Sequence, residues 1–168
     1  LRNTRQILRL YDREPNYTIA EANADVNAIL TAGSVVSGSY GPALTVETDL
    51  KSFIHLFQVA EVNPDLFVDN PITHIAVDIS NFREAAVNYP ELADIPPATR
   101  YWIRDIEVGL FRVSDQFGNP EAAAYRLSTF EQAVDLFHRG QTDSALVAAT
   151  DFYRAHPESK SAGLLMAE

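Results

Sequence analysis

The chain has 168 residues, 46% of them hydrophobic and none of them cysteine. That length suits one domain with a small appendage and buries roughly 70% of the unfolded surface, which excludes disorder, collagen and disulfide scaffolds. With 13 basic and 23 acidic residues the net charge is −10, which leaves nothing to neutralise a phosphate backbone and excludes nucleic acid as a general partner.

Residues 1–13 predict a helix with Arg2, Arg5, Arg9 and Arg13 in one stripe and Ile7, Leu8, Leu10 and Tyr11 on the other side. Four arginines against Asp12 alone give this segment +3, so the remainder carries −13. Glu14-Pro15-Asn16 breaks the helix. Thr18 and Glu21 form a capping box, and apolar spacing carries a second helix to Leu30, ended by Ala32-Gly33.

Ser34 to Gly38 predicts a buried strand that enters the turn Gly38-Ser39-Tyr40-Gly41-Pro42, with Pro42 opening a short helix over Ala43 to Thr48. Phe53 to Phe57 is a second strand, with helix as the alternative. Asn63-Pro64-Asp65 caps a short helix at Leu66 to Val68. Thr73 to Asp78 has the apolar character of a central strand. Asn81 caps a helix with Phe82, Ala85, Ala86 and Tyr89 on one face, stopped by Pro90. Beyond Pro96-Pro97, Tyr101 to Ile103 and Ile106 to Val113 read as one long or broken strand, and their alternation marks a half-exposed edge.

This order predicts an α/β fold, a small partly parallel sheet sandwiched by helices, over residues 1–114. Asp115 to Pro120 reads as a linker. Residues 120–168 read as a helical hairpin with a third helix started at Ser159. Leu127, Phe130, Ala133, Val134 and Phe137 stripe its first helix; Ala145, Leu146, Ala149, Phe152 and Tyr153 stripe its second.

Residues 128–161 resemble one tetratricopeptide repeat through Ala133, Gly140, Ala145, Phe152 and Pro157; Ala149 departs from the usual aromatic. The alternative is an ordinary helical hairpin. A single such unit must stack on the α/β part, on a partner or on further repeats.

Residues 33–113 carry a second resemblance, in Gly38 to Thr48, Pro71 to Asp78, Asn81, Tyr89-Pro90 and the strand with Val108, Leu110, Phe111, Arg112 and Val113. They are similar to the soluble domain of polyprenyl-phosphate-dependent membrane glycosyltransferases of the protein-mannosyltransferase and aminoarabinose-transferase type. The resemblance implies a non-catalytic accessory domain on the extracytoplasmic face of a membrane. Its partners would be the transmembrane part of its own parent chain and a lipid-linked sugar phosphate. No run here is long enough to span a bilayer, no signal peptide is visible, and the start at Leu1 is expected of a piece of a longer protein.

Gly38, Ser39, Tyr40 and Gly41 are ligand-binding candidates, because a glycine turn at a strand's carboxyl end is where open α/β sheets hold ligands; the alternative is a tight strand-to-helix turn. Arg2, Arg5 and Arg9 are candidates for a lipid-carrier phosphate, although positive charge beside a span usually stays cytoplasmic; the alternative is docking on the acidic body. His74 and Asp78 share a strand face and suit a metal or acid–base pair, or a buried histidine bonded to backbone with Asp78 starting a turn. Glu47 and Asp49 form a carboxylate pair or a solvated loop; Tyr101 and Trp102, a sugar platform or a core wedge. His55 has no second ligand near it in sequence, and His138 and His156 suit helix ends. No metal or cofactor pattern and no catalytic set emerges. The alternative function is a protein-interaction module that holds a peptide or another chain in the groove between helices 128–139 and 141–155.

Overall fold

A computed structural model describes residues 17–55, 65–80, 87, 89–114 and 116–167. The arginine-striped helix and most of the helix opened by Asn81 lie outside these residues. Helix α1, Ile19–Ile29, starts as expected: Thr18 Oγ1 accepts the Glu21 N–H at 3.1 Å, and the Glu21 carboxylate accepts the Thr18 N–H at 2.8 Å. Ala22, Val26 and Ile29 turn one face inward.

Strand β1, Val35–Ser37, is followed by the short helix α2, Gly41–Thr45, and then by β2, Lys51–Ser52. Helix α3, Leu66–Asp69, precedes β3, His74–Asp78; a 3-10 turn at Pro90–Asp94 leads to β4, Thr99–Ile103, and β5, Ile106–Arg112. The sheet order is β2-β1-β3-β5-β4, with β1 parallel to both its neighbours and β5 antiparallel to both of its own. The fold class is therefore α/β with a partly parallel sheet.

Two strand expectations are corrected. The 101–113 segment is a hairpin: β4 forms the sheet edge and β5 lies inside it. The reversal falls at Arg104, whose φ of +60° is rare for a residue with a side chain, so nothing in Arg104-Asp105 announced it. The second described strand lies at Lys51–Ser52, ahead of Phe53, whose N–H still donates to the Val36 carbonyl at 3.0 Å; Leu56 and Phe57 of the expected element lie outside the described residues.

Alternation along the strands builds two cores, because successive side chains point to opposite faces. Val36, Ala76, Tyr101, Val108 and Leu110 face the helical layer with Val26, Ile29 and Leu44. Val35, Ile75, Val77, Phe111 and Val113 face the other layer with Ile72, Tyr89 and Leu92.

The expected linker is pinned. Asn119 Oδ1 caps helix α4, Pro120–Ala123, and its Nδ2 donates to the Val68 carbonyl at 2.6 Å. Helices α5, Thr129–His138, α6, Thr142–Ala155, and α7, Lys160–Ala167, follow. Phe130, Val134, Phe152 and Ala162 join the same core as Val26, Val36 and Leu110. Of the three ways to cover the hairpin's apolar face, the fold uses the α/β body. Leu146, expected in the buried stripe of α6, points outward. Among the described residues no helix is long and apolar enough to cross a membrane.

Candidate functional site

Strands β1, β3 and β4 run in one direction, so their carboxyl ends meet at one edge of the sheet. Open α/β sheets bind ligands at such an edge, where successive connections leave in opposite directions. The edge consists of Gly38–Gly41 after β1, Asp78–Ser80 after β3 and Arg104-Asp105 after β4.

Two glycines let the first turn lie across the end of β3. Gly38 has φ +98°, and a Cβ there would stand 2.4 Å from the Ala76 carbonyl oxygen; at Gly41 it would stand 3.0 Å from the Val36 oxygen. The Tyr40 N–H donates to the Ala76 carbonyl at 3.0 Å and the Gly41 N–H to the Gly38 carbonyl at 3.4 Å. These amides are engaged within the fold, and α2 has only five residues, so the turn offers little to a phosphate. It offers hydroxyls instead. Ser39, Tyr40 and Asp78 are half-buried and Asp105 is exposed. Burial, then the charges of Asp78 and Asp105, push the Tyr40 phenol above its ordinary pKa. Phenol and carboxylates this close suit a neutral polyhydroxyl ligand, which supplies donors to the carboxylates and accepts from the phenol.

Of the other candidates, Arg2, Arg5 and Arg9 lie outside the described residues. Asp78 starts a turn, its Oδ1 accepting the Ser80 N–H at 2.8 Å. Glu47 and Asp49 are exposed. Tyr101 is a core residue, edge-on to Tyr17 at 5.0 Å, with its hydroxyl on Asp25. His55 Nδ1 meets the Tyr89 hydroxyl. His138 lies in the last turn of α5 and His156 caps the end of α6.

His74 is buried as expected but is bonded to side chains rather than to backbone. Its Nε2 lies 2.9 Å from Glu131 Oε1 and its Nδ1 2.8 Å from Thr73 Oγ1. Glu131 Oε2 accepts the Tyr125 hydroxyl at 2.6 Å and the Ser128 N–H at 2.8 Å. Burial raises the Glu131 carboxyl, but the bonds from His74, Tyr125 and the Ser128 amide outweigh it and leave the group below its ordinary pKa. Tyr125 is pushed up to about 12 by burial and by the Glu131 charge. A readable signal existed, since Ser128 and Glu131 have capping-box spacing; its second use by His74 had none.

Sequence reasoning also missed Asp25. This carboxylate is 3% exposed and accepts the Ser159 hydroxyl at 2.7 Å, the Tyr101 hydroxyl at 3.0 Å, the Ser161 hydroxyl and the Ser161 N–H. It sits at the start of α7, where amide groups and helix dipole favour negative charge.

Two hollows flank α5. A cleft of about 270 Å³ lies between Ile95-Pro96, Arg112 and the α5 residues Glu131, Asp135 and His138. Arg112 crosses it to grip both Asp135 oxygens at 3.1 and 3.2 Å. A groove of about 470 Å³ runs past Thr31, Thr129, Gln132, Asp151 and His156, between α1 and the two hairpin helices. Among the described residues no group of three or more His, Cys, Asp or Glu is placed to hold a metal.

The fold and this edge define a small mixed-sheet α/β domain with a C-terminal helical layer docked on one face. Neither family models, curated proteins nor solved structures give a match to the chain.

Proposed function

We propose that this chain is a non-catalytic, extracytoplasmic accessory domain of a membrane glycosyltransferase-like protein, and that it positions the sugar part of a lipid-linked sugar or acceptor. One observation carries the reading: the carboxyl ends of β1, β3 and β4 bring Ser39, Tyr40, Asp78 and Asp105 to a single half-open edge. The resemblance of residues 33–113 to the soluble domain of such transferases supplies the context, and Arg2, Arg5 and Arg9 are the candidates for binding the carrier phosphate.

The test is a nitrogen-15 NMR titration with free hexoses and, separately, with inorganic phosphate. Hexose-dependent shifts at Ser39, Tyr40 and Asp78, reduced by Asp78→Asn, are expected. Shifts with phosphate alone, or none at this edge, would count against a sugar contact; turnover of a lipid-linked sugar by the isolated domain would sink the non-catalytic reading.

A second reading is a peptide-binding interaction module, favoured by the groove between α1, α5 and α6. Saturable binding of partner peptides, lost when Gln132 is changed to a bulky residue, would favour it over the first.

A further inference from the structure

Helix α6 packs between α5 and α7 and buries Ala145, Ala149 and Phe152, yet its outer face is not uniformly polar. Leu146 is 49% exposed and Val147 63% exposed. At 100° per residue, Asp143, Val147 and Arg154 line up on this outer face with Leu146 beside them; Thr150, on the same line, is half-buried and its hydroxyl donates to Met166 Sδ of α7 at 3.7 Å. The charges are placed asymmetrically: Asp143 stands in the first turn and Arg154, with a side chain 75% exposed, in the last.

That pattern is self-complementary under a two-fold axis. When a second α6 packs antiparallel about a centre between Ala148 and Ala149, Asp143 of each copy faces Arg154 of the other, and Val147 faces Thr150. Both ends of the seam are then closed by opposite charges, with the exposed Val147 of each copy between them. Centring on Val147 instead would set Asp143 against Asp151. Arg154 already pairs with Asp151 of its own chain at 3.2 Å, but that contact is exposed and of little energetic weight, so the guanidinium is able to take a second carboxylate.

We propose that the outer face of α6 is a self-association surface whose occupant is a second copy of this chain, in an isologous antiparallel helix pair. A helix of 14 residues spans roughly 21 Å, so the seam is smaller than a standard stable interface and the dimer is weak and concentration-dependent. This surface is separate from the sheet edge at Tyr40 and Asp78, on which the sugar-binding reading rests.

Sedimentation equilibrium of the whole chain over a concentration series tests it. The weight-average mass is expected to rise from 18.6 kDa towards twice that value. Val147→Glu should hold the chain at the monomer mass. Asp143→Arg and Arg154→Asp should each weaken association by about tenfold through like-charge contacts, and the double exchange should restore it. These positions are exposed, and unchanged circular dichroism verifies the fold of each variant. A monomer at every concentration, as expected if another protein or another segment of a parent chain covers this face, would overturn the proposal. So would a dimer indifferent to Val147→Glu and to the charge exchange.

Discussion

His74 Nε2 and Glu131 Oε1 stand 2.9 Å apart, at 0% and 2% side-chain exposure, and join the central strand β3 to α5. The pair sets the imidazole's hydrogens. An ionised carboxylate only accepts, so Nε2 carries a hydrogen and, in the neutral ring, Nδ1 accepts from the Thr73 hydroxyl. The sheet and the helical layer are therefore tied by a buried polar chain as well as by Phe130 and Val134.

Removing Glu131 leaves the His74 Nε2–H, the Tyr125 hydroxyl and the Ser128 N–H without their shared acceptor. Glu131→Ala is expected to cost about 3 kcal/mol in urea unfolding. Glu131→Gln should cost much less, because its amide can donate to Nε2 once the ring's hydrogen moves to Nδ1 and bonds to Thr73. Thr73 Oγ1 also lies 3.2 Å from the Val35 carbonyl and can donate there. Equal losses in the two variants would contradict this account of the tautomer.

Acid should act through the same carboxyl. The folded state holds Glu131 below its ordinary pKa, so the stability this provides is present above the ordinary glutamate range and is lost as the pH falls through the lowered value. Carbon-13 NMR of the Glu131 side chain through an acid titration of the folded chain should show a midpoint below the ordinary glutamate value of about 4.3; a midpoint at or above that value would contradict this account.

Asp25 fastens α1 to the start of α7 with hydroxyl and amide donors from Ser159, Ser161 and Tyr101. Asp25→Ala strands these buried donors and is expected to cost about 3 kcal/mol, against about 1 kcal/mol for Ser159→Ala. Hydrogen exchange in α7 should quicken in Asp25→Ala while β3 and β5 stay protected. Equal acceleration in the sheet would mean that α7 is not separately fastened.

Gly38 and Gly118 both have positive φ, but only Gly38 lies against backbone. Gly38→Ala should cost about 2–4 kcal/mol because the turn must lift off Ala76, and Gly118→Ala about 1 kcal/mol from conformation alone. Thermal melts check the ranking, and a Gly38→Ala variant as stable as Gly118→Ala would show that the turn at the sheet edge yields easily.

By itself the sequence determined what local chemistry decides. Thr18 and Glu21 mark a helix start, the apolar run at Ile75 to Val77 marks a central strand, Gly140 marks the hairpin turn, and the glycines at 38 and 41 mark a tight turn after a strand. Each depends on neighbours within a few residues. Tertiary structure alone decided that 101–113 folds back on itself at Arg104, that β5 rather than β4 lies inside the sheet, and that Leu146 faces outward. It also decided the partners of His74 and Asp25. His74 meets Glu131 57 residues away, and Asp25 meets Ser159 134 residues away. A buried polar side chain takes whichever donor or acceptor the packed layers bring to it, and that choice leaves no periodicity in the chain.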